Sequence, residues 1–307
     1  LGVAQSVPLA PAFLLSYARA VRDVDIVHHH VPNPLGTVSN QLIRTETPSV
    51  VTYHSDIVRQ AAVMPVYKRV LHGFLNDVNR ILVTSPRLRD SSPHLEGFRD
   101  KCEIVPLSID LTEYEPGNPV PSSFPVNPEE PFVLCVGRLN YYKGVEYLVR
   151  SVPDFNGQLV IVGDGDRREG LESLAASLGI TDRVSFLGRV DESTLHYCFE
   201  HADVFVLPSV APSEAFGIVQ LEAMAYETPV VNTALRTGVP WVSQDGETGL
   251  TVPPRDHHRL ATAINRLLSD DEERRAFGRA AKARLRERFE ESVMLDAVER
   301  VYDDVVD

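Results

Sequence analysis

Residues 208–232 read PSVAPSEAFGIVQLEAMAYETPVVN. An apolar run of strand type, Asp203-Val-Phe-Val-Leu207, leads into them, and a second, Pro229-Val-Val-Asn232, closes them. The pattern between the two runs predicts a helix starting near Ser213 and Glu214, so the unit is strand, loop, helix, strand. In α/β proteins such a loop and helix start hold anions and place side chains for chemistry. Glu214 and Glu222 stand eight residues apart, with Phe216 and Gly217 following the first. On an ideal helix the two carboxylates would point about 80° apart, about two turns apart in height. They would then reach different ends of one extended ligand. The plain alternative is a cap-region acid at Glu214 and a solvated helix face at Glu222. Gly217 weighs toward a ligand, because glycine lets one approach the backbone where helix N–H groups are unpaired.

Outward from this stretch the chain alternates strands and helices, which implies parallel sheets with right-handed crossovers. Toward the N-terminus the pattern predicts a helix over 8–22 and a strand over 25–28 running into His28, His29 and His30. A helix over 34–44 follows, then a strand over 48–54 ending in His54-Ser55-Asp56, and strands over 80–84 and 101–106. Residues 115–131 contain six prolines and read as a linker. The rhythm restarts with a strand over 132–136 that ends in Gly137-Arg138, and another over 158–162 that ends in Gly163-Asp164-Gly165. The expected domains are 1–114, a linker over 115–131, 132–290, and a last helix within 291–307 returning to the first domain.

With 307 residues, 43% of them hydrophobic, the chain can bury a large core, and its length favours two domains. A net charge of -13 argues against nucleic-acid binding through a broad basic face. Cys102, Cys135 and Cys198 are far apart with no CxxC pair, which fits a reducing compartment, and Cys135 reads as a buried thiol in a strand. No run of eighteen apolar residues predicts a membrane span.

Arg138 and Lys143, with Gly137 and Gly144 beside them, follow a strand end. Two cations there could hold a diphosphate and stabilise it as a leaving group; the alternative is an ordinary exposed basic pair. Gly163-Asp164-Gly165 continues as GDGDRR, which fails the dinucleotide fingerprint, and no P-loop is present. Adjacent residues of a strand point to opposite sides, so His28, His29 and His30 are not expected to meet one ion, and no metal is expected. His28 reads as a structural histidine; His54, at a strand exit, is the better site candidate. No GxSxG elbow supports hydrolase chemistry around Ser55.

Taken together these motifs resemble the retaining nucleotide-sugar glycosyltransferases of family 4. The stretch Glu214-Ala-Phe-Gly-Ile-Val-Gln-Leu-Glu222 is similar to that family's E-x7-E signature. Val136-Gly-Arg138 with Lys143-Gly144, the turn at Val162 to Gly165, the segment Gly246-Glu-Thr-Gly-Leu-Thr-Val-Pro253, and the stretches around His28 and Tyr53 to Asp56 match in the expected order. The resemblance implies an α/β, GT-B fold of two facing Rossmann-like domains. The family's opening strand and glycine-rich loop have no counterpart before His28, so a first domain truncated at its start is expected. Arg138 and Lys143 would bind the donor diphosphate, Glu222 the ribose, and Glu214 the transferred sugar. The backbone of Phe216, Gly217 and Ile218 would meet sugar or phosphate, Gly188 and Val190 would lie by the base, and His54 would face the reacting sugar. The implied reaction moves a hexose, mannose or glucose favoured, from a GDP- or UDP-sugar to a hydroxyl on a glycan or lipid-linked glycan, with retention and no tightly bound cofactor. A sugar-nucleotide epimerase or hydrolase, or a non-catalytic binding protein, are the alternatives. A cytoplasmic location, at or near the membrane face, is the corresponding expectation.

Overall fold

The computed structural model describes residues 2–4, 7–9, 12–43, 45–56, 64–121, 124–126 and 130–307. The chain divides into two compact units, Leu1–Pro106 with Met294–Asp307, and Leu107–Val293.

The first unit opens with β1 (Gly2–Ala4) and β2 (Val7–Leu9), which pair antiparallel, followed by α1 (Phe13–Ala20). The helix expected over 8–22 is therefore shorter. Pro8 lies in a strand and Pro11 follows it in sequence, and neither ring nitrogen can donate inside a helix. Then come β3 (Val27–Val31), α2 (Pro34–Leu42), β4 (Ser49–Tyr53), α3 (Met64–Asp77), β5 (Arg80–Val83), α4 (Pro86–Ser91) and β6 (Cys102–Ile104). The four strands β3-β4-β5-β6 form a parallel sheet in that order. Its two inner strands, β4 and β5, are covered on both faces, whereas β3 exposes His30 and β6 exposes Glu103. Val51, Tyr53, Ile81 and Val83 pack with Phe74 and Leu75 of α3. On the opposite face Val50, Leu82 and Val105 pack with Val301 of the last helix, Glu291–Val306, whose Met294 and Val298 complete the stripe.

The second unit holds β7 (Phe132–Val136), α5 (Val145–Ser151), β8 (Gln158–Val162), α6 (Arg168–Ser177), β9 (Val184–Gly188), α7 (Glu192–His201), β10 (Val204–Leu207), α8 (Val219–Ala225), β11 (Val230–Thr233), α9 (Val239–Val242), β12 (Gly249–Val252), α10 (His257–Ser269) and α11 (Asp271–Arg288). All six strands are parallel, in the order β12-β11-β10-β7-β8-β9. Numbered within the unit and read from β9, this is 3-2-1-4-5-6, the doubly wound Rossmann order. One face carries Leu148 of α5, Leu171 of α6 and Ile264 of α10. The other carries Phe199 of α7, Leu221 of α8 and Leu285 of α11.

Two expectations about the boundary are corrected. Leu107 to Tyr114, read as the end of the first domain, belong to the second unit, where Ile109 N–H donates to Phe289 O and Glu291 N–H donates to Ile109 O. The proline-rich stretch is not a free linker where it is described. Glu200 accepts hydrogen bonds from Gly117 N and Asn118 N at 2.7 and 3.0 Å. Burial alone would raise the Glu200 carboxyl, but these bonds and that of the Asn118 amide pull it below its ordinary range. Val126 is buried in the second core, and Phe124 packs edge-on against Phe132 and Tyr197. Proline content signalled an extended backbone, and the interspersed apolar residues decided that this backbone is fastened down.

Candidate functional site

In a doubly wound sheet a crevice opens beyond the strand ends where neighbouring strands send their crossovers opposite ways. Here that point lies between β7 and β10, which pair through Val133 with Val204 and Leu134 with Phe205. The sequence that follows each strand fills it. After β7, the chain passes Gly137 and Arg138 to a single helical turn, Tyr141–Lys143, and then Gly144. Gly144 has φ 63°, and a Cβ there would stand 2.3 Å from Pro208 O. Only glycine lets the β7 loop lie this close to the β10 loop. Val210 N–H donates to Tyr142 O at 2.8 Å across the same seam.

The seam sets Lys143 against Glu214. Lys143 Nζ lies 2.7 Å from Glu214 Oε2, and Ser209 Oγ donates to the same oxygen at 2.9 Å. Glu214 is 8% exposed and Ser209 is fully buried. Glu214 Oε1 takes no hydrogen bond from a described residue, so the carboxylate has one committed oxygen and one left for a ligand. The Arg138 side chain is exposed and joins Gly137, Lys143, Leu207 and Pro208 around one small pocket. A cation in solvent and a cation held by a carboxylate therefore border the same spot at the switch point. The thiol of Cys135, one strand residue below, is pushed up to about 12 by burial and takes no part in this chemistry.

The geometry of the E-x7-E stretch differs from the helix expected from sequence. The helix α8 begins at Val219, and Glu214 lies in an irregular loop before it. Gly217 has φ 73°, a left-handed conformation that cannot continue a helix, and a Cβ there would meet Leu207 Cδ2 at 2.6 Å. The angular relation of about 80° between the two glutamates, which assumed one helix, does not apply. Phe216 is 3% exposed and packs edge-on against Trp241 and Phe289, so its ring anchors the loop and only its backbone is available to a ligand. Ile218 is exposed.

Sequence reasoning missed the residues that hold this loop. Gln220 is fully buried, and its amide lies within hydrogen-bond reach of the carbonyls of Phe216, Gly217 and Val239. Asn232, also fully buried at the end of β11, donates to Gln220 Oε1 at 2.9 Å and to the carbonyls of Val239 and Ser243. Thr251 Oγ1 donates to Asn232 Oδ1 at 2.8 Å. The available signal was a glutamine and an asparagine set among apolar residues, because a buried amide must be fully hydrogen-bonded.

Glu222 sits on α8, half-buried. Burial raises its carboxyl, and the nearby Lys143 charge partly offsets that. Tyr114 is raised in turn, chiefly by burial and next by the Glu222 charge. Tyr114 stacks on His196 at 5.1 Å, and Tyr226 Oη lies 3.0 Å from His196 Nδ1. Gly188 ends β9, two strands from β7, or roughly 10 Å by ordinary strand spacing. Val190 packs against the second core beside it. Lys143, Glu214 and Arg138 thus share the switch point, with Gly188 and Val190 two strands along. The glycine turn after β8 is a packing device: a Cβ on Gly163 would lie 2.1 Å from Gly137 O.

His54 belongs to the first unit, just beyond β4. Strand alternation separates the histidines as expected. His29 is buried and packs on Phe74, while His28 and His30 share the other face. His28 is bound at both nitrogens, to Tyr302 Oη at 2.6 Å and Thr52 Oγ1 at 2.7 Å. Burial, then the neighbouring histidines, lowers His28 to about 4; burial, then His30, lowers His29 to about 4. His54 is lowered by burial and then by His30, whose Nδ1 lies 2.9 Å from His54 Nε2. Among the described residues no group of three or more His, Cys, Asp or Glu is arranged to hold a metal, and no helix is long and apolar enough to cross a membrane.

Known proteins share both sequence and architecture with this chain. The family model described as "Glycosyl transferases group 1" matches residues 120–284, and "Glycosyltransferase Family 4" matches residues 2–113. The D-rhamnosyltransferase WbpZ of Pseudomonas aeruginosa is 34% identical over 90% of this chain and 74% of its own. The O-antigen chain mannosyltransferase C of Escherichia coli is 29% identical over 97% of this chain and 80% of its own. Sucrose-phosphate synthase from Thermosynechococcus elongatus superimposes with a TM-score of 0.81 at 26% identity, covering 99% of this chain and 82% of its own.

Proposed function

Since the chain belongs to the group 1, family 4 glycosyltransferases and its two Rossmann-like units are those of the GT-B class, we propose that it transfers a hexose, mannose or glucose favoured, from a GDP- or UDP-sugar to a hydroxyl of a glycan or lipid-linked glycan, with retention. At the coarser level it is an enzyme that moves a sugar from a nucleotide-sugar to an acceptor. The hexose assignment draws on the names of its relatives, a D-rhamnosyltransferase and a mannosyltransferase, and on the stretch Tyr53 to Ile57. We further propose a cytoplasmic enzyme that meets its acceptor at the membrane face.

The observation that carries the reading is the Lys143–Glu214 pair at the switch point with Arg138 beside it. Lys143 Nζ has three donors, and the one spent on Glu214 Oε2 leaves others for a phosphate oxygen. With Arg138 it stabilises the diphosphate as it leaves, when its negative charge grows. Glu214 Oε1 accepts a hydroxyl of the transferred sugar. Glu222, half-buried, accepts the ribose hydroxyls, which replace the hydration it has lost. The backbone of Phe216, Gly217 and Ile218 meets sugar or phosphate, and the base lies by Gly188 and Val190. His54 meets the reacting sugar. The leaving phosphate takes the acceptor proton, so this scheme requires no protein nucleophile.

A panel of UDP-, GDP- and ADP-sugars tests it. One class should raise the melting temperature and turn over with an acceptor glycan, and the product should keep the donor's anomeric configuration. Glu222→Ala should raise the donor KM at least tenfold. Stabilisation without transfer or hydrolysis would refute the reading.

A further inference from the structure

Strand alternation puts His28 and His30 on the same face of β3, and the parallel register pairs His30 with Thr52 of β4. His54, two residues beyond Thr52, continues on that face, and its N–H donates to Val31 O at 3.0 Å, which extends the ladder by one bond. His30 and His54 are therefore diagonal neighbours across the two strands, within reach for ring side chains. Their rings lie within 14° of one plane with centroids 5.2 Å apart. That separation is the 2.9 Å contact between His30 Nδ1 and His54 Nε2 plus a ring radius at each end, so the imidazoles meet edge to edge. His28 stacks on His30 at 4.7 Å and 15°. Since Thr52 and Tyr302 hold both nitrogens of His28, the base of this array cannot swivel freely.

We propose that His30 is a positioning residue for His54: it holds that imidazole in one plane and in the tautomer complementary to its own, so that Nδ1 is the ring nitrogen His54 offers to a substrate. A neutral imidazole has one donor and one acceptor nitrogen. Two ring nitrogens 2.9 Å apart share one proton, so the role of Nε2 dictates the complementary role of Nδ1. Among the described residues His54 Nδ1 has no partner, and His30, which is exposed, is supported only through the stack and this bond. The function of the pair rests on the sugar-transfer reading; the geometry of the pair does not.

The 307-residue chain, labelled with 15N-histidine, separates the two. In the wild type His54 should show one tautomer by its ring nitrogen shifts. His30→Phe keeps an aromatic ring on the stack and removes the bond, and His54 should become a mixture. His30→Asn places an amide near the lost Nδ1 and should restore a single form. In sugar transfer, His30→Phe should lower kcat about 5–10-fold, the effect of one oriented hydrogen bond, with donor KM within twofold. His30→Asn should recover most of it, and His30→Phe/His54→Ala should be no slower than His54→Ala alone. A His54 spectrum unchanged by His30→Phe overturns the proposal, as does a further loss in the double variant. A wild-type chain that transfers no sugar sinks the functional reading instead, and the spectra still decide the positioning.

Discussion

Replacing Lys143 with methionine keeps the length of the side chain and deletes the cation facing Glu214. The two groups meet at 2.7 Å, and their side chains are only 13% and 11% exposed. Removing one partner of a buried pair strands the other charge and costs roughly 3–5 kcal/mol. Because both side chains keep some contact with solvent, and Ser209 still donates to Glu214, the lower end applies, about 3 kcal/mol. For a domain of this length each kcal/mol moves the melting temperature by about 2–4 °C, so Lys143→Met should lower it by about 6–12 °C. Glu214→Gln in the same chain removes the stranded charge while keeping an oxygen for the Ser209 hydroxyl. The double variant should regain at least half of the loss, a coupling of about 2 kcal/mol. Scanning calorimetry of the wild type, both single variants and the double variant closes the cycle. A Lys143→Met protein that melts within 2 °C of wild type, or a double variant below the single one, would refute the reasoning. The double variant also parts stability from chemistry, since it should be folded and at least a hundredfold slower in sugar transfer.

The other predictions concern the scaffold. Gly144→Ala should destabilise the chain by more than 2 kcal/mol and weaken donor binding at least tenfold, because its Cβ would meet the Pro208 carbonyl at 2.3 Å in a left-handed backbone; equilibrium unfolding and donor titration check this. Asn232→Ala should cost about 2–4 kcal/mol in urea unfolding, since it removes the donor from Gln220 Oε1 and Ser243 O and the acceptor from the Thr251 hydroxyl, and the donor KM should rise with it. His28 and His29 are held at about 4, whereas an unfolded chain takes up those protons near the ordinary 6.5. Unfolding therefore binds extra protons between these values, and stability should fall as pH drops from about 6.5 toward 4. His28→Asn should flatten that fall in a pH series of urea midpoints, and an unchanged slope would rule His28 out as a source.

What could be read from the sequence followed the physics of each signal. The buried parallel strands were plain, because a sheet covered on both faces demands unbroken apolar runs such as Phe132–Val136 and Val204–Leu207. Lys143 and Glu214 stood out as charges beside glycines at strand exits. Their direct pairing was not legible, since it depends on how the β7 and β10 loops meet across 71 residues of sequence. The helix start was misread because Ile218 and Val219 continue an apolar rhythm back toward Glu214, while the left-handed backbone of Gly217 interrupts it. Residues 115–131 were read as a linker from their prolines and their few large apolar residues, and Phe124, Val126 and the carboxylate of Glu200 outweighed both. The last helix was legible through Met294, Val298 and Val301, three to four residues apart on one stripe.

The loop that carries Glu214 is shaped by Gln220, Asn232 and Thr251. None of these side chains gains or loses a proton in the range where proteins stay folded. The carboxyl of Glu222, which burial raises, hangs on a frame that does not titrate. Acidity can therefore change how strongly this wall attracts a diphosphate or a sugar hydroxyl while leaving its contour alone. A donor that binds less well at low pH would meet a wall of the same form, altered only in its charge.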